Sequence, residues 1–188
     1  TQMTPNSQWT VTGSGATLIA KADKNNIKEY PHISMATPGK VIDLGIKDIA
    51  NMGAAMMPAA FDTIITHLED TKRTPDYYDL IVTGDLGKLG SKLLIEQLKE
   101  YGYDISKQHM DCGVKIFDTE TQDVGVGGSG CGCSASVFCG YIYPMLKKRQ
   151  INKVLFLATG ALMSPISLGQ GESIPGIAHA FVIENLEV

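Results

Sequence analysis

The fold of this chain is decided by the stretch Gly127-Gly-Ser-Gly-Cys-Gly-Cys-Ser-Ala135, a glycine-rich turn that leads into an apolar helix. Helix starts of this kind carry free backbone N–H groups and a partial positive charge, which favour an anionic ligand. No His, Lys, Asp or Glu lies between residues 124 and 146. The turn therefore offers groups that bind an anion but no side chain that acts as a strong base.

Strand and helix patterns alternate on both sides of this turn. The helix after the turn is predicted to extend to about residue 148, and two further helices are predicted at 48–70, with Asp48 as N-cap, and at 88–101, ended by Gly102. Predicted strands are 9–20, 33–41, 78–83, 111–117, 154–159 and 176–184. Several of these strands are continuously apolar. The pattern predicts an α/β fold with a mostly parallel mixed sheet covered by helices on both faces.

Length and charge limit the kinds of partner that the chain can have. Its 188 residues, 44% of them hydrophobic, suit a sizeable buried core. The net charge of −4 argues against nucleic-acid binding, which needs a basic face. The one basic cluster, Lys147-Lys148-Arg149, lies where a helix C-terminus favours positive charge.

The cysteines and the long uncharged stretches favour neither a metal site nor a membrane span. Cys131-Gly-Cys133 is too tightly spaced for a zinc knuckle, and no second pair has metal-ligand spacing. We therefore predict no metal and no cofactor, with reduced thiols. Stretches 124–146 and 154–171 are long enough to span a membrane, but their glycines and polar residues favour buried core elements and predict no spanning helix.

Short motifs along the chain resemble those of a known family. Val11-Thr-Gly-Ser-Gly-Ala16 resembles the last strand of the N-terminal half of the thiolase fold, and the glycine-rich turn resembles that of its C-terminal half. Ala158-Thr-Gly-Ala161 resembles a loop of the same half. Together with Asp111-Cys-Gly113, Ser164-Pro165 and Ile174-Pro175 followed by Ile177-Ala-His179, these motifs resemble the stage V sporulation protein AD family over residues 11–184.

The resemblance implies a fold, a ligand and partners. Residues 1–28 would end the N-terminal thiolase-like half, and residues 29–188 would form the C-terminal half. Family members bind dipicolinic acid (pyridine-2,6-dicarboxylate), as the free acid or the calcium chelate, and act with membrane proteins of the same operon to load it into the developing spore. By this resemblance we expect a non-catalytic homodimer, soluble in type, that associates peripherally with the spore inner membrane.

The same resemblance argues against an enzyme. Working thiolases place a His in the loop after the strand that matches 80–83, where this chain has Gly84 and Asp85. They also place a His or Asn at the turn, where this chain has Gly128-Ser129-Gly130, and a second cysteine near Ala158-Thr159. Claisen chemistry needs groups that stabilise an enolate and move a proton. We therefore predict that the chain is not an enzyme.

A binding site for dipicolinate needs donors for two carboxylates and an apolar slot for the ring. The candidate donors are the amides of the glycine turn, the hydroxyls of Ser129 and Thr159, and a protonated His109. The carboxyl groups of Asp85 and Asp111 are further candidates, and Asp111 could bind a protonated acid, a water or a calcium ion. The predicted ligand-binding residues are Asp85, His109, Asp111, Gly128, Ser129, Gly130, Cys131, Thr159 and Gly160.

Other interpretations of these residues stay open. The turn can serve helix packing alone, Asp111 can be a cap beside Gly113, and Cys131 and Cys133 can be small packing residues. His179 suits a core position in its strand. Two other functions also remain: a scaffold of a spore membrane complex with no ligand of its own, and an acyltransferase whose nucleophile lies in another half of the protein.

Overall fold

The computed structural model describes residues 4–23 and 27–186, in which strands and helices alternate. The strands are β1 (Trp9–Thr10), β2 (His32–Thr37), β3 (Leu80–Thr83), β4 (His109–Asp111), β5 (Gly128–Ser129), β6 (Lys153–Ala161) and β7 (Gly176–Glu184). The helices are α1 (Met52–Thr71), α2 (Gly87–Tyr101), α3 (Cys112–Lys115), α4 (Cys133–Val137), α5 (Tyr143–Lys147) and α6 (Pro165–Gly169). A π-helical segment, Phe138–Ile142, joins α4 to α5.

Five strands form one mixed sheet in the order β2-β7-β6-β3-β4. Strand β3 pairs in parallel with β4 and β6, whereas β7 pairs antiparallel with β6 and β2. Strands β1 and β5 form a separate parallel pair. The predicted α/β fold with a mixed sheet is confirmed, with parallel pairing confined to the part of the sheet around β3.

Helices cover both faces of the sheet because successive strand residues point to opposite sides. Ile81 packs in one core cluster and Val82 in the other. The first cluster includes Met56, Ile64 and Leu68 of α1 and Leu94 and Leu98 of α2. The second includes Val137, Ile142 and Leu146 of the chain from α4 to α5. Each fully buried aliphatic side chain of this kind stabilises the fold by about 1.5–3 kcal/mol.

The two long helices follow their sequence signals closely. Helix α2 ends at Gly102, which adopts a left-handed φ of 109°, as predicted. Helix α1 begins three residues later than the Asp48 cap predicts, because Asn51 caps it by accepting a hydrogen bond from Ala54 N. The Asp48 carboxylate instead accepts from Ala50 N within the preceding turn.

The predicted strand 9–20 is wrong beyond Thr10. The chain after β1 crosses helix α4 so closely that a Cβ atom on Gly15 would collide with the carbonyl oxygen of Ala135. Gly132 approaches the carbonyl oxygen of Gly13 in the same way. The glycines therefore permit a close backbone crossing here, in place of continued strand pairing.

The predicted strand 111–117 is also wrong, because Asp111 ends β4 and starts a helical turn. Its carboxylate accepts a hydrogen bond from Val114 N, which caps α3. The helix predicted to extend to about residue 148 ends at Lys147, with the π segment inside it, where Tyr143 N donates to the Phe138 carbonyl. Pro144 follows directly. Because proline has no N–H, it cannot donate the backbone hydrogen bond that an α-helix forms at this position.

Two expectations about chain organisation have different outcomes. Within residues 4–23 and 27–186 no helix has both the length and the apolar character that crossing a membrane requires. The division of the chain after residue 28 stays a prediction, and residues 24–26 beside it lie outside the described part.

Candidate functional site

The carboxyl ends of three parallel strands meet at one edge of the sheet and bring together most of the predicted ligand-binding residues. Asp85 follows β3, Asp111 ends β4, and Thr159 lies in the last third of β6. The glycine turn joins the same edge, because Ser129 Oγ donates a hydrogen bond to Asp85 Oδ2 over 2.8 Å. We call this group of residues the strand-end cluster.

Asp85 is the centre of the strand-end cluster and is only 7% exposed. Besides Ser129 Oγ, its carboxylate accepts from Gly130 N at 3.0 Å and from Thr159 Oγ1 at 2.9 Å. Thr159 Oγ1 in turn accepts from Asp85 N at 3.0 Å. Asp85 therefore fastens the glycine turn to the end of β6. The Gly130 amide, which the sequence predicts as a donor to a ligand, donates to Asp85.

Asp111 is 4% exposed and fastens a second set of loops. Its carboxylate accepts from Thr83 Oγ1 at 2.7 Å, Leu86 N at 2.8 Å, Gly87 N at 3.0 Å and Val114 N at 3.1 Å. Burial raises the pKa of Asp111, and these four hydrogen bonds oppose that rise. Asp111 thus caps α3 and holds the start of α2, which is the cap role that the sequence left open.

His109 lies beside Asp111 but is not a cation at neutral pH. Its Nε2 atom is 3.1 Å from Thr83 Oγ1, which donates its own proton to Asp111. Burial lowers the pKa of His109 from 6.5 to about 4. The protonated His109 that the sequence offers as a donor is therefore scarce at pH 7, whereas its neutral ring suits a bond to Thr83.

The cysteines divide between the core and the surface. Cys112 and Cys133 are buried, and burial raises the pKa of both thiols, that of Cys133 to about 12. Cys133 Sγ lies 3.8 Å from the Gly84 carbonyl oxygen. Cys133 is therefore the packing residue that one interpretation predicts, and neither thiol is ionised at neutral pH. Cys131 is exposed, so packing does not describe it.

The open rim of the strand-end cluster is small. Gly128 and Ser129 are buried, Gly130, Thr159 and Gly160 are half-buried, and Cys131 is exposed. A Cβ atom at Gly160 would meet only Ile177 Cγ2, at an ordinary 3.6 Å. A ligand that reaches this edge would therefore meet backbone near Cys131 and Gly160, and not the two buried carboxylates.

Two residues of the strand-end cluster, Thr83 and Gln8, were not predicted from the sequence. Thr83 connects His109 to Asp111, and the Gln8 side chain donates from Nε2 to the carbonyl oxygens of Asp85 and Gly128. A threonine at the end of an apolar strand, directly before Gly84 and Asp85, was the available signal for Thr83. Gln8 lies 77 residues from Asp85 in sequence and had no local signal.

A second buried polar group, which we call the His67 network, lies away from the strand-end cluster. His67 is fully buried, with Nδ1 2.7 Å from Thr37 Oγ1 and Nε2 2.6 Å from the Tyr78 hydroxyl. Burial, and then the charge of Arg73, lower the pKa of His67 to about 4. Arg73 pairs with Glu184 at 3.4 Å. The network joins α1 to both β2 and β7.

The remaining predictions about ligating residues concern histidine and metal. His179 is exposed and accepts a hydrogen bond from Gly39 N, so it is not a core residue. Among residues 4–23 and 27–186, no group of three His, Cys, Asp or Glu side chains is placed to hold a metal ion.

Comparison with known proteins identifies a family, and similar proteins include a curated relative and a solved structure. The family model described as stage V sporulation protein AD matches residues 1–184. The stage V sporulation protein AD of Bacillus subtilis (strain 168) is 49% identical over 175 residues, which are 93% of this chain and 50% of that protein. The chain thus spans about half the length of this relative.

Among solved structures, the chain is similar to the crystal structure of 3-oxoacyl-acyl-carrier-protein synthase III from Aquifex aeolicus VF5. The TM-score is 0.44 at 13% sequence identity, and the match covers 84% of this chain and 55% of that one.

Proposed function

This chain belongs to the stage V sporulation protein AD family, and from that premise we propose that the full-length protein binds dipicolinate without catalysing a reaction on it. In this proposal the protein serves the uptake of dipicolinate, as the free acid or the calcium chelate, into a developing spore. It acts as a homodimer with membrane proteins of the same operon, at the spore inner membrane.

One observation carries the proposal for ligand binding. Asp85 holds the glycine turn and the end of β6 together through its hydrogen bonds with Ser129, Gly130 and Thr159. The backbone near Cys131 and Gly160 is thereby kept in fixed relation at the rim of the strand-end cluster. Such preorganised backbone suits a flat dicarboxylate, because little ordering is left to oppose binding.

The chemistry of the same residues supports the absence of catalysis. Acyl transfer with carbon–carbon bond formation needs a base and free donors for a developing oxyanion. The Gly130 amide already donates to Asp85, and His109 has a pKa of about 4 and a bond to Thr83. The buried Cys133 thiol has a pKa of about 12. These groups suit a scaffold for binding better than a catalytic centre.

Calorimetry of dipicolinate binding to the full-length protein tests the proposal. We compare wild type with Gly160→Leu, which places a side chain on the rim where the present surroundings leave space. Gly140→Leu is the matched control, because a Cβ atom at Gly140 meets nothing within 4 Å. We expect saturable binding that Gly160→Leu weakens by about tenfold or more and that Gly140→Leu leaves unchanged.

Pyridine, which lacks both carboxylates, should bind far more weakly than dipicolinate to the wild-type protein. A folded protein that gives no saturable heat with dipicolinate would overturn the proposal and favour the ligand-free scaffold. Equal affinities for wild type and Gly160→Leu would exclude the rim of the strand-end cluster as the binding site.

A further inference from the structure

A group of cations lies at the end of the sheet opposite the strand-end cluster. Its members are four exposed side chains, which we call the basic patch: Lys28, Lys147, Lys148 and Arg149. Helix α5 ends at Lys147, and β6 starts soon afterwards at Lys153. Because β6 carries Thr159 near its other end, the length of this strand separates the basic patch from the strand-end cluster.

Direct contacts join two distant parts of the chain in the basic patch. The Arg149 guanidinium donates hydrogen bonds to the carbonyl oxygens of Leu186, at 3.0 Å, and Lys28, at 3.2 Å. Lys147 Nζ lies 3.9 Å from the centroid of the Tyr30 ring. Residues 28–30 are therefore fixed against the C-terminal end of α5, and they add a further lysine to the run of three cations at 147–149.

The C-terminal end of α5 needs fewer cations than it has. A helix dipole favours a cation in the last turn, and Lys147 already supplies one. Arg149 adopts a left-handed φ of 54°, at a position after a helix cap that glycine or asparagine usually occupies. Its bonds to the two carbonyl oxygens offset this backbone strain. The dipole alone therefore leaves the further cations of the basic patch without an explanation.

The positive charge of the basic patch is not taken up by ion pairs. The ion pairs among residues 4–23 and 27–186 involve other cations, and none includes a member of the patch. Glu29 is an acidic neighbour, and its hydrogen bond and then its charge raise the pKa of Tyr30. The basic patch is therefore a positive region on a chain whose net charge is −4. Such a region attracts an anionic partner.

Exposed apolar side chains border the basic patch. Tyr30 is 44% exposed, and Ile33, three residues later in β2, is 50% exposed. Ile33 pairs with Ile183, which belongs to the second core cluster together with Leu146 of α5. Because paired residues point to the same face of a sheet, Ile33 lies on the face that α5 covers. Cations beside an aromatic ring and an aliphatic side chain are typical of a surface that meets a membrane interface.

From these observations we propose that the basic patch docks the protein on an anionic lipid bilayer. The four cations lie over acidic headgroups, and the Tyr30 and Ile33 side chains enter the interfacial layer. The inference rests on the proposed function for the choice of a membrane, and it names the surface that meets it. Nucleic acid is the less suitable polyanion, because the chain as a whole is negative and phosphate contacts make no use of an exposed isoleucine. Docking at this end leaves the rim of the strand-end cluster open to a ligand.

Co-sedimentation of the full-length protein with vesicles of equal parts phosphatidylglycerol and phosphatidylcholine tests the inference. Each cation near an anionic surface contributes about fivefold to binding, so the double variant Lys147→Gln/Lys148→Gln should bind about twentyfold more weakly than wild type. This variant keeps Arg149, which also holds Lys28 in place. The control Lys92→Gln/Lys99→Gln removes two lysines from exposed ion pairs on α2 and should bind within about twofold of wild type.

Further arms of the experiment identify the partner. Vesicles of phosphatidylcholine alone should bind wild type weakly, and high salt should release the protein from the anionic vesicles. The inference is overturned if wild type does not bind the anionic vesicles, or if Lys147→Gln/Lys148→Gln binds them as tightly as the α2 control. Binding to duplex DNA that is tighter than binding to the vesicles, and that the same variant loses, would assign the basic patch to nucleic acid and also overturn it.

Dipicolinate calorimetry separates this inference from the proposed function. Wild type and Lys147→Gln/Lys148→Gln should bind dipicolinate equally, because the ligand rim lies at the other end of the sheet. Dipicolinate binding without vesicle binding would reject the membrane-docking surface and retain the ligand. Vesicle binding that depends on the two lysines, without dipicolinate binding, would support the surface and reject the ligand.

Discussion

The strand-end cluster and the His67 network both bury polar groups, but they satisfy them in different ways. In the strand-end cluster, the Asp85 and Asp111 carboxylates accept hydrogen bonds from backbone N–H groups and hydroxyls. In the His67 network, His67 stays neutral between two hydroxyls, and the charge of Arg73 meets that of Glu184. The first arrangement fixes loops at one edge of the sheet, and the second fixes a helix to strands.

The contributions of the two regions to stability therefore depend on pH in opposite senses. The raised pKa of Asp111 means that the native state holds its proton more tightly than the unfolded chain does. Its contribution is complete below the ordinary pKa of 3.8 and is lost as the pH rises through the native value. The lowered pKa of His67 gives a contribution that is present above pH 6.5 and lost as the pH falls towards about 4.

The largest effect is expected from Asp111→Ala, which removes one of the two buried carboxylates of the strand-end cluster. It leaves the N–H groups of Leu86, Gly87 and Val114 without their acceptor. Since each unsatisfied buried donor costs about 1–3 kcal/mol, we expect the free energy of unfolding to fall by about 4 kcal/mol. Chemical denaturation of the full-length protein at pH 7 measures this value.

Two further variants control the Asp111 experiment. Asp123→Ala, at an exposed aspartate, should change the free energy of unfolding by less than about 0.5 kcal/mol. Asp111→Asn keeps an oxygen that can accept from Gly87 and Val114 and removes the buried charge, so it should cost less than Asp111→Ala. An Asp111→Ala protein as stable as the Asp123→Ala control would show that these hydrogen bonds do not hold the loops.

Much of this architecture could be predicted from local sequence signals. Gly102 ends α2 and the apolar run of β3 is buried, because cap geometry and burial act on neighbouring residues. The positions of Asp85 and Thr159 at one edge followed from the parallel strands β3 and β6, whose carboxyl ends lie near them. The bonds between these residues connect positions 74 apart in sequence, and no local pattern encodes such a pairing.

The errors in the sequence analysis share a physical cause. The strand predicted at 9–20 has the right composition, but Gly13 and Gly15 serve a close crossing of helix α4 and not a strand ladder. The strand predicted at 111–117 ends where Asp111 caps a helical turn. In each case the contact that decides the structure depends on tertiary packing, which overrides the local propensity of the strand.

The next largest effect is the decrease of the free energy of unfolding at acid pH, which tests the His67 network. A fall in pKa from 6.5 to about 4 makes protonation of His67 cost the native state about 3 kcal/mol. The free energy of unfolding should therefore decrease as the pH falls from 6.5 to 4, and His67→Gln should reduce this decrease by about that amount. NMR titration of the His67 ring checks the cause directly. A ring that titrates near 6.5 in the native protein would contradict it.

The smallest effect is expected from Arg73→Met, which removes the cation from the His67 network. Arg73 lies 4.0 Å over the Tyr77 ring, and its side chain is 17% exposed. The cost should be about 1–2 kcal/mol, because Glu184 keeps a hydrogen bond from the Tyr77 hydroxyl. Because the charge of Arg73 lowers the pKa of His67, the variant should also move that pKa from about 4 towards 6.5.

Lys99→Met, at an exposed ion pair with Asp104, is the matched control and should leave the His67 titration where it is. If Arg73→Met leaves the titration of His67 in place as well, burial alone keeps this histidine neutral. The network would then resemble the strand-end cluster, where desolvation and hydrogen bonds act without a cation.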